Sequence, residues 1–346
     1  MLAPTVEIHG EVAGKPAHLF TMRTKSGLQA QISELGAQLT SVMLDHDELT
    51  VRHDSFEDWK NNSGFYLGAS CGRFGNRIAS GEFSLNGKDY KLDTNNAPAD
   101  IPCHLHGGSR GFHSRIWHGE ALAEAHRQGV RLTLHSPDGD EGYPGNLDVA
   151  VTYWLNDNNE LSWHAEATTD QATPVNLINH TYWNLSGEPG SSIDNHQIQI
   201  HADYFLPTNP GMIPTGEIRS VTDTPMDFTR PREISEGIDS DYEPIHVAGG
   251  YDHCWVLRDH HDLEPKLHTA AIVHHPATGR TLEVMTNQPG VQFYTGNYLS
   301  GKFTPRSGLC LETEGFPDSP NQSNFPSSIL GPGETYQHDL VWRLSR

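Results

Sequence analysis

The chain has 346 residues, with 23 Lys and Arg against 44 Asp and Glu, a formal net charge of -21 at pH 7. So acidic a surface repels phosphate backbones and anionic lipid, which speaks against nucleic-acid and membrane-surface binding. The 33 glycines and 22 prolines exceed the ordinary combined share of roughly 12% and predict many turns, not a helical bundle.

Period-2 alternation punctuated by turns dominates the chain. Strands are predicted near 17–23 and 28–33. Ser55 to Lys60 reads as one or two helical turns with Ser55 as N-cap. Phe83 and Leu85, then Asn86-Gly87, then Tyr90 and Leu92 predict a hairpin on a favoured Asn-Gly turn. Leu147, Val149, Val151, Tyr153 and Leu155 share one strand face. Asn156 to Asn159 forms the turn, and Leu161, Trp163, Ala165 and Ala167 line the returning strand. Further strands are predicted near 281–286, 291–295, 308–313 and 337–345. No Gly-rich phosphate loop precedes a helix and strands do not alternate with helices, which argues against Rossmann and TIM-barrel folds. The expectation is an all-β chain: one large antiparallel β-sandwich with few short helices, a single domain over 1–346.

No run of about 18 apolar residues exists to span a bilayer. The N-terminus lacks the basic and apolar regions of a secretion signal. Cys71, Cys103, Cys254 and Cys310 form no CxxC, so a reduced cytoplasmic protein is expected.

Several segments carry chemistry. In Val175 to Leu185, an extended chain puts Asn176, Ile178, His180, Tyr182 and Asn184 on one row. That row suits a lined cleft as well as it suits structural polar residues. In Leu309 to Glu314, Cys310, Glu312 and Glu314 share a face, and two sheltered carboxylates there raise each other's pKa. Gln292 and Tyr294 point away from the core side taken by Val291 and Phe293. His104 and His106, at i and i+2, would face the same way on a strand. That allows a metal, but spacing implies no third ligand, and the pairs at 260/261 and 274/275 add none. His106-Gly107-Gly108 reads better as one imidazole over a tight turn that brings backbone close to a ligand. Arg73 and Arg77 are flanked by glycines, and Arg77 can fork two hydroxyls or pair with an acid. Asp252 can accept from ligand hydroxyls or simply hold a turn.

The segments GRFGNRIASGEFSLNGKDYKL, HLHGGSRGFHSRIW, NLINHTYWNLSG, GGYDHCWVL, GVQFYTGN and LCLETEGFPDSPNQSNFP, in this order, resemble the aldose 1-epimerase (galactose mutarotase) family. The resemblance runs from about Gly68 to the C-terminus. It implies a large β-sandwich with the sugar in an open cleft, and an isomerase that needs neither cofactor nor metal. It implies Glu312 as general base and His180 as general acid. It places His106 near the ring oxygen, and Asn76, Arg77, Asp252 and Gln292 on sugar hydroxyls. The partner implied is a free aldose such as galactose or glucose, handled by a monomer or weak homodimer. Proximity of Glu312 and His180 is expected to favour both charged forms. The family commonly carries Gln or Pro where Glu314 stands, so Glu314 is expected to raise the base's pKa or to touch sugar. The stretch between Tyr298 and Leu309 is short for the family, which bears on the sugar more than on the reaction.

Other readings use the same residues. A non-catalytic sugar-binding module would bind without turnover. A glycoside hydrolase would pair Glu312 with Asp252. A hexose-phosphate 1-epimerase would want extra cations near the cleft.

Overall fold

A computed structural model describes residues 1–258 and 266–346. The 260/261 histidine pair lies outside the described residues.

Alternating apolar residues build the predicted strands. Leu147–Asn156 pairs antiparallel with Glu160–Thr169, and Leu155 faces Leu161 across the turn. Glu82–Leu85 and Lys88–Lys91 form the second hairpin. Its Asn86 and Gly87 both have positive φ, 53° and 76°, as a type I′ turn requires. The helix runs Phe56–Asn61, and the Ser55 hydroxyl accepts the Asp58 N–H.

Among the described residues the strands form three main sheets. A nine-stranded sheet has Tyr336–Ser345 between Glu160–Thr169 and Arg280–Thr286. A six-stranded sheet runs Tyr182–Trp183, Leu309–Glu314, Gly290–Tyr294, Asp252–Leu257, Ala202–Leu206 and Arg219–Ser220 in spatial order. A five-stranded meander, starting at Thr5–Val12, covers residues 5–48.

The two larger sheets pack their apolar faces on each other as a sandwich. Trp163, Val151, Leu340 and Trp342 from one sheet join Trp255, Phe293, Leu309 and Leu311 from the other in one buried cluster. Trp183 and Trp342 have ring centroids 5.7 Å apart. The six-stranded sheet is therefore pinned by one face, and its opposite face can carry polar side chains at fixed positions.

The segment Val175 to Leu185 differs from expectation. It forms only the short pairs Ile178–Asn179 and Tyr182–Trp183, and both of its rows are buried. Its backbone bonds go to neighbouring loops: His180 N–H donates to the Ala69 carbonyl, and Gly68 N–H donates to the His180 carbonyl, each at 2.9 Å.

Candidate active site

Register fixes the floor of the site. Gln292 lies opposite Glu312, and Cys254 lies opposite Gln292. One row along, Asp252 faces Tyr294, Tyr294 faces Cys310, and Cys310 faces Tyr182. Strand alternation turns all of these away from the sandwich core. The walls come from elsewhere. Cys103–Leu105 pairs antiparallel with Arg77–Ala79, which sets His106 beside Asn76. The Asn76 backbone N–H donates to His106 Nδ1 at 3.1 Å.

A cavity of about 600 Å³ opens between floor and walls. Asn76, Arg77, His106, His180, Asp252, Gln292 and Glu312 all line it. Among the described lining residues, Arg77 is the one Lys or Arg. Its Nε is buried without a hydrogen-bond partner, which leaves that N–H for a ligand.

The reactive pair faces across this cavity. His180 Nε2 lies 3.8 Å from Glu312 Oε1. Both side chains are almost fully buried, and Glu312 Oε2 has no partner. The His180 ring stacks on Tyr66 and Tyr182, with centroids 5.7 and 5.0 Å away. Its Nδ1 lies 3.5 Å from Cys310 Sγ.

These surroundings overturn the expectation that proximity favours both charges. Burial dominates, because a dry site penalises the charged form of either group. It lowers the His180 imidazole to about 3. It raises the Glu312 carboxyl well above its ordinary range; the neighbouring carboxyls of Glu314 and Asp252 further disfavour its ionisation, and Arg77 opposes them. Burial also raises Asp252, against Arg77 and a 2.6 Å hydrogen bond from Gln292 Nε2.

His106 is held neutral by burial and by the nearby His180 and Arg77. With Nδ1 filled by the Asn76 N–H, the proton of the neutral ring sits on Nε2, a donor for a ligand oxygen. Asn76 has less to offer than the resemblance implies. Its Oδ1 accepts the Arg77 backbone N–H at 2.9 Å and its Nδ2 donates to Glu314 Oε1 at 3.1 Å. One amide hydrogen remains.

Two further expectations need correction, and two neighbouring residues are placed. His104 and His106 do not face the same way, because His106 leaves the strand at φ 51°. His104 turns inward, donating from Nδ1 to the Asp93 carbonyl and accepting the Tyr143 hydroxyl at Nε2. The turn after His106 brings backbone close to backbone: a Cβ on Gly107 would meet the Gly72 carbonyl oxygen at 1.7 Å. Glu314 shares the face of Glu312 and disfavours its ionisation, the first of the two roles expected of it; it is 0% exposed and does not line the cavity, which speaks against the second. Arg73 is scaffold, bonded to Ser136 and to the carbonyls of Pro137 and Pro144.

His106, His180 and Glu312 also offer ligand atoms within 4.8 Å of one another, a donor set suited to a transition ion. The 3.8 Å between His180 and Glu312 is wider than the edge of about 3.4 Å in a tetrahedral shell with bonds near 2.1 Å. The set fits an ion only after side-chain movement.

Sequence reasoning missed Tyr66, Tyr298 and the 96–99 loop, which line the cavity. Tyr66 has φ 55° at the end of a short 3-10 turn, and no periodicity marks it.

The family model described as aldose 1-epimerase matches residues 18–343. The chain is 43% identical over 288 residues to galactose mutarotase from Homo sapiens, covering 81% of this chain and 79% of the relative. It is 37% identical over 337 residues to aldose 1-epimerase from Escherichia coli, covering 93% and 94%. The crystal structure of galactose 1-epimerase from Lactobacillus acidophilus superposes with a TM-score of 0.88 at 27% identity, covering 100% of this chain and 99% of that one. The chain belongs to the aldose 1-epimerase family.

Proposed function

We propose that Glu312 and His180 are the proton-exchanging pair of this aldose 1-epimerase, acting on a free hexose such as galactose or glucose. The observation that carries this reading is the facing of Glu312 Oε1 and His180 Nε2 at 3.8 Å across a cavity lined by polar side chains. Mutarotation moves two protons. A base takes the proton of the C1 hydroxyl while an acid protonates the ring oxygen. The C1–O5 bond breaks, the C1 hydroxyl oxygen becomes the aldehyde oxygen, and C1–C2 rotates. The ring recloses on the other face as both protons return.

With closed sugar the pair carries one proton, on His180, and Glu312 is the carboxylate. After ring opening Glu312 holds the proton and His180 is neutral. Burial favours that second distribution in the empty site. The pair therefore rests in the state it holds during the open-chain stage. In this state His180 Nδ1–H donates to Cys310 Sγ and Nε2 is bare.

Arg77, the remaining Asn76 amide hydrogen, Asp252 and Gln292 hold hydroxyls, and His106 Nε2–H donates near the ring oxygen. A single lining cation suits a neutral sugar better than a phosphorylated one. The reading takes residues 1–346 as one domain, a monomer or weak homodimer, without nucleic acid or cofactor. A cytoplasmic location is supported by four buried free thiols. No helix among the described residues is long and apolar enough to cross a membrane.

Polarimetry on freshly dissolved α-D-galactose and α-D-glucose tests the reading. The expected result is a rate proportional to protein and lost in Glu312→Gln. A rate equal to buffer from folded protein would overturn it.

A further inference from the structure

One buried acid exchanges no proton in the chemistry described. Glu314 lies two residues beyond Glu312 on the same strand face, is 0% exposed, and sits behind Asn76 instead of in the cavity. Its Oε1 accepts the Asn76 Nδ2 hydrogen at 3.1 Å, and its Oε2 has no hydrogen-bond partner. Asn76 is the node of the cavity wall. It adopts φ 61°, a left-handed conformation that asparagine tolerates better than most residues and that its hydrogen bonds hold in place. Its Oδ1 takes the Arg77 N–H, and its backbone N–H and C=O bond to His106 Nδ1 and N–H. Anything that turns the Asn76 amide moves Arg77 and His106 together.

We infer that Glu314, carried as a neutral carboxylic acid, is a positioning residue that locks Asn76 and thereby sets Arg77 and His106 over Glu312. Neutrality follows first from placement. Glu312, two residues back on the same strand face, and Asp252 are acids that interact with it, and the Cys254 thiol and the Tyr336 phenol lie within its electrostatic reach. Among the described residues the cation acting on it is Arg77, which serves Glu312 and Asp252 as well. A second carboxylate beside Glu312 in so dry a place would have no counter-charge of its own. Burial accordingly raises the Glu314 carboxyl well above its ordinary range, with the Asn76 hydrogen bond opposing.

The inference rests on the proposed roles of Glu312, Arg77 and His106. Three variants test it: Glu314→Gln, Glu314→Leu and Asn76→Ala, each checked for native circular dichroism. Glu314→Gln keeps the acceptor and the neutral charge, so kcat/KM stays within about 3-fold and the acid limb of its pH profile does not move. Glu314→Leu removes the acceptor, so kcat/KM falls about 10- to 100-fold. Combined with Asn76→Ala, Glu314→Leu costs nothing further. An acid limb that drops by a whole pH unit in Glu314→Gln would show that Glu314 is charged and overturn the inference. Equal losses in Glu314→Gln and Glu314→Leu, or no loss in Glu314→Leu, would overturn it too. Infrared spectroscopy at pH 7.5 supplies a readout free of turnover and of any folding defect in Glu314→Leu. A protonated-carboxyl band must be present in the wild type and weaker in Glu314→Gln. Wild-type protein without mutarotase activity would instead sink the proposed function, and the infrared result would still decide the state of Glu314.

Discussion

Two histidines sit on opposite faces of the strand Leu309–Glu314. His338, on the sandwich side, donates from Nδ1 to the Leu177 carbonyl at 2.9 Å and accepts the Thr313 hydroxyl at Nε2 at 2.7 Å. His180, on the cavity side, has a sulfur at Nδ1 and a carboxylate oxygen 3.8 Å from Nε2. Both are buried, and burial lowers both imidazoles, to about 4 and about 3. Burial and pKa therefore do not separate scaffold from chemistry here. Hydrogen-bond satisfaction does. A side chain whose partners are filled belongs to the fold, and one left open toward a cavity is available to a ligand.

The sharpest test exchanges the roles. Glu312→Gln and His180→Asn should each slow mutarotation by about 10²- to 10⁴-fold, without lowering the thermal midpoint. Glu312→Gln removes a buried acid with an unpartnered oxygen, so folding loses nothing by it. His338→Ala should do the reverse. It leaves the Thr313 hydroxyl without its partner and the Leu177 carbonyl with only the longer 3.4 Å bond from the Tyr336 hydroxyl, at a cost of about 1–3 kcal/mol. kcat per folded molecule should hold. Polarimetry and denaturant melts on the three variants check both halves. A dead but stable His338→Ala would break the distinction.

Much of this was legible in the sequence, and the reason is geometric. Alternation along 147–167 and 291–314 depends on neighbours in the chain, so hairpins and the floor residues Gln292 and Glu312 could be placed by parity alone. The walls depend on residues that leave regular structure. Asn76, His106 and Tyr66 all have positive φ, between 51° and 61°, and no period of 2 or 3.6 announces such a position. Asn76 and His106 were reached through motifs carried by a family resemblance, while Tyr66 had no motif and was missed. The His104-x-His106 expectation failed for the same reason, since parity stops where the strand stops. The protonation state of Glu312 and His180 was also out of reach. It depends on the tyrosine rings and on the three acids Asp252, Glu312 and Glu314, brought together by a tertiary fold.

Acid titration should treat the two histidines alike, which sharpens what separates them. An unfolded histidine titrates near 6.5, while His180 and His338 in the folded protein titrate at about 3 and about 4. Between these values the unfolded chain binds more protons. Stability from each is then complete above about pH 6.5 and is lost as pH falls toward the folded value. At pH 5 the loss is about 2 kcal/mol per histidine. His53, His104, His113, His196 and His253 are lowered to similar values. The raised carboxyls of Asp252, Glu312, Glu314 and Asp318 act in the opposite sense, but they are fewer. The thermal midpoint should fall steeply from pH 6.5 to pH 5. The fall should be shallower by about one proton in His180→Asn and equally so in His338→Gln. Calorimetry across that range checks it, and an unchanged slope in both variants would show that the buried histidines do not control acid stability.

The smallest effect belongs to a residue that shares the cavity but not the burial. Tyr298 lines the site and is 61% exposed. Its hydroxyl donates to the Ala248 carbonyl at 3.1 Å, and its ring lies 6.5 Å from that of Tyr294. It is a rim residue with its polar atom already occupied. By the rule that separates His338 from His180, Tyr298 should contribute little to turnover. Tyr298→Ala should leave kcat unchanged and alter KM by about 2-fold, the size of an ordinary exposed substitution. Saturation kinetics on galactose and glucose check this sugar by sugar. A tenfold rise in KM for one sugar and not the other would place specificity at the rim. Partner satisfaction would then govern the reacting groups alone, and choice among aldoses would lie with exposed aromatic surface.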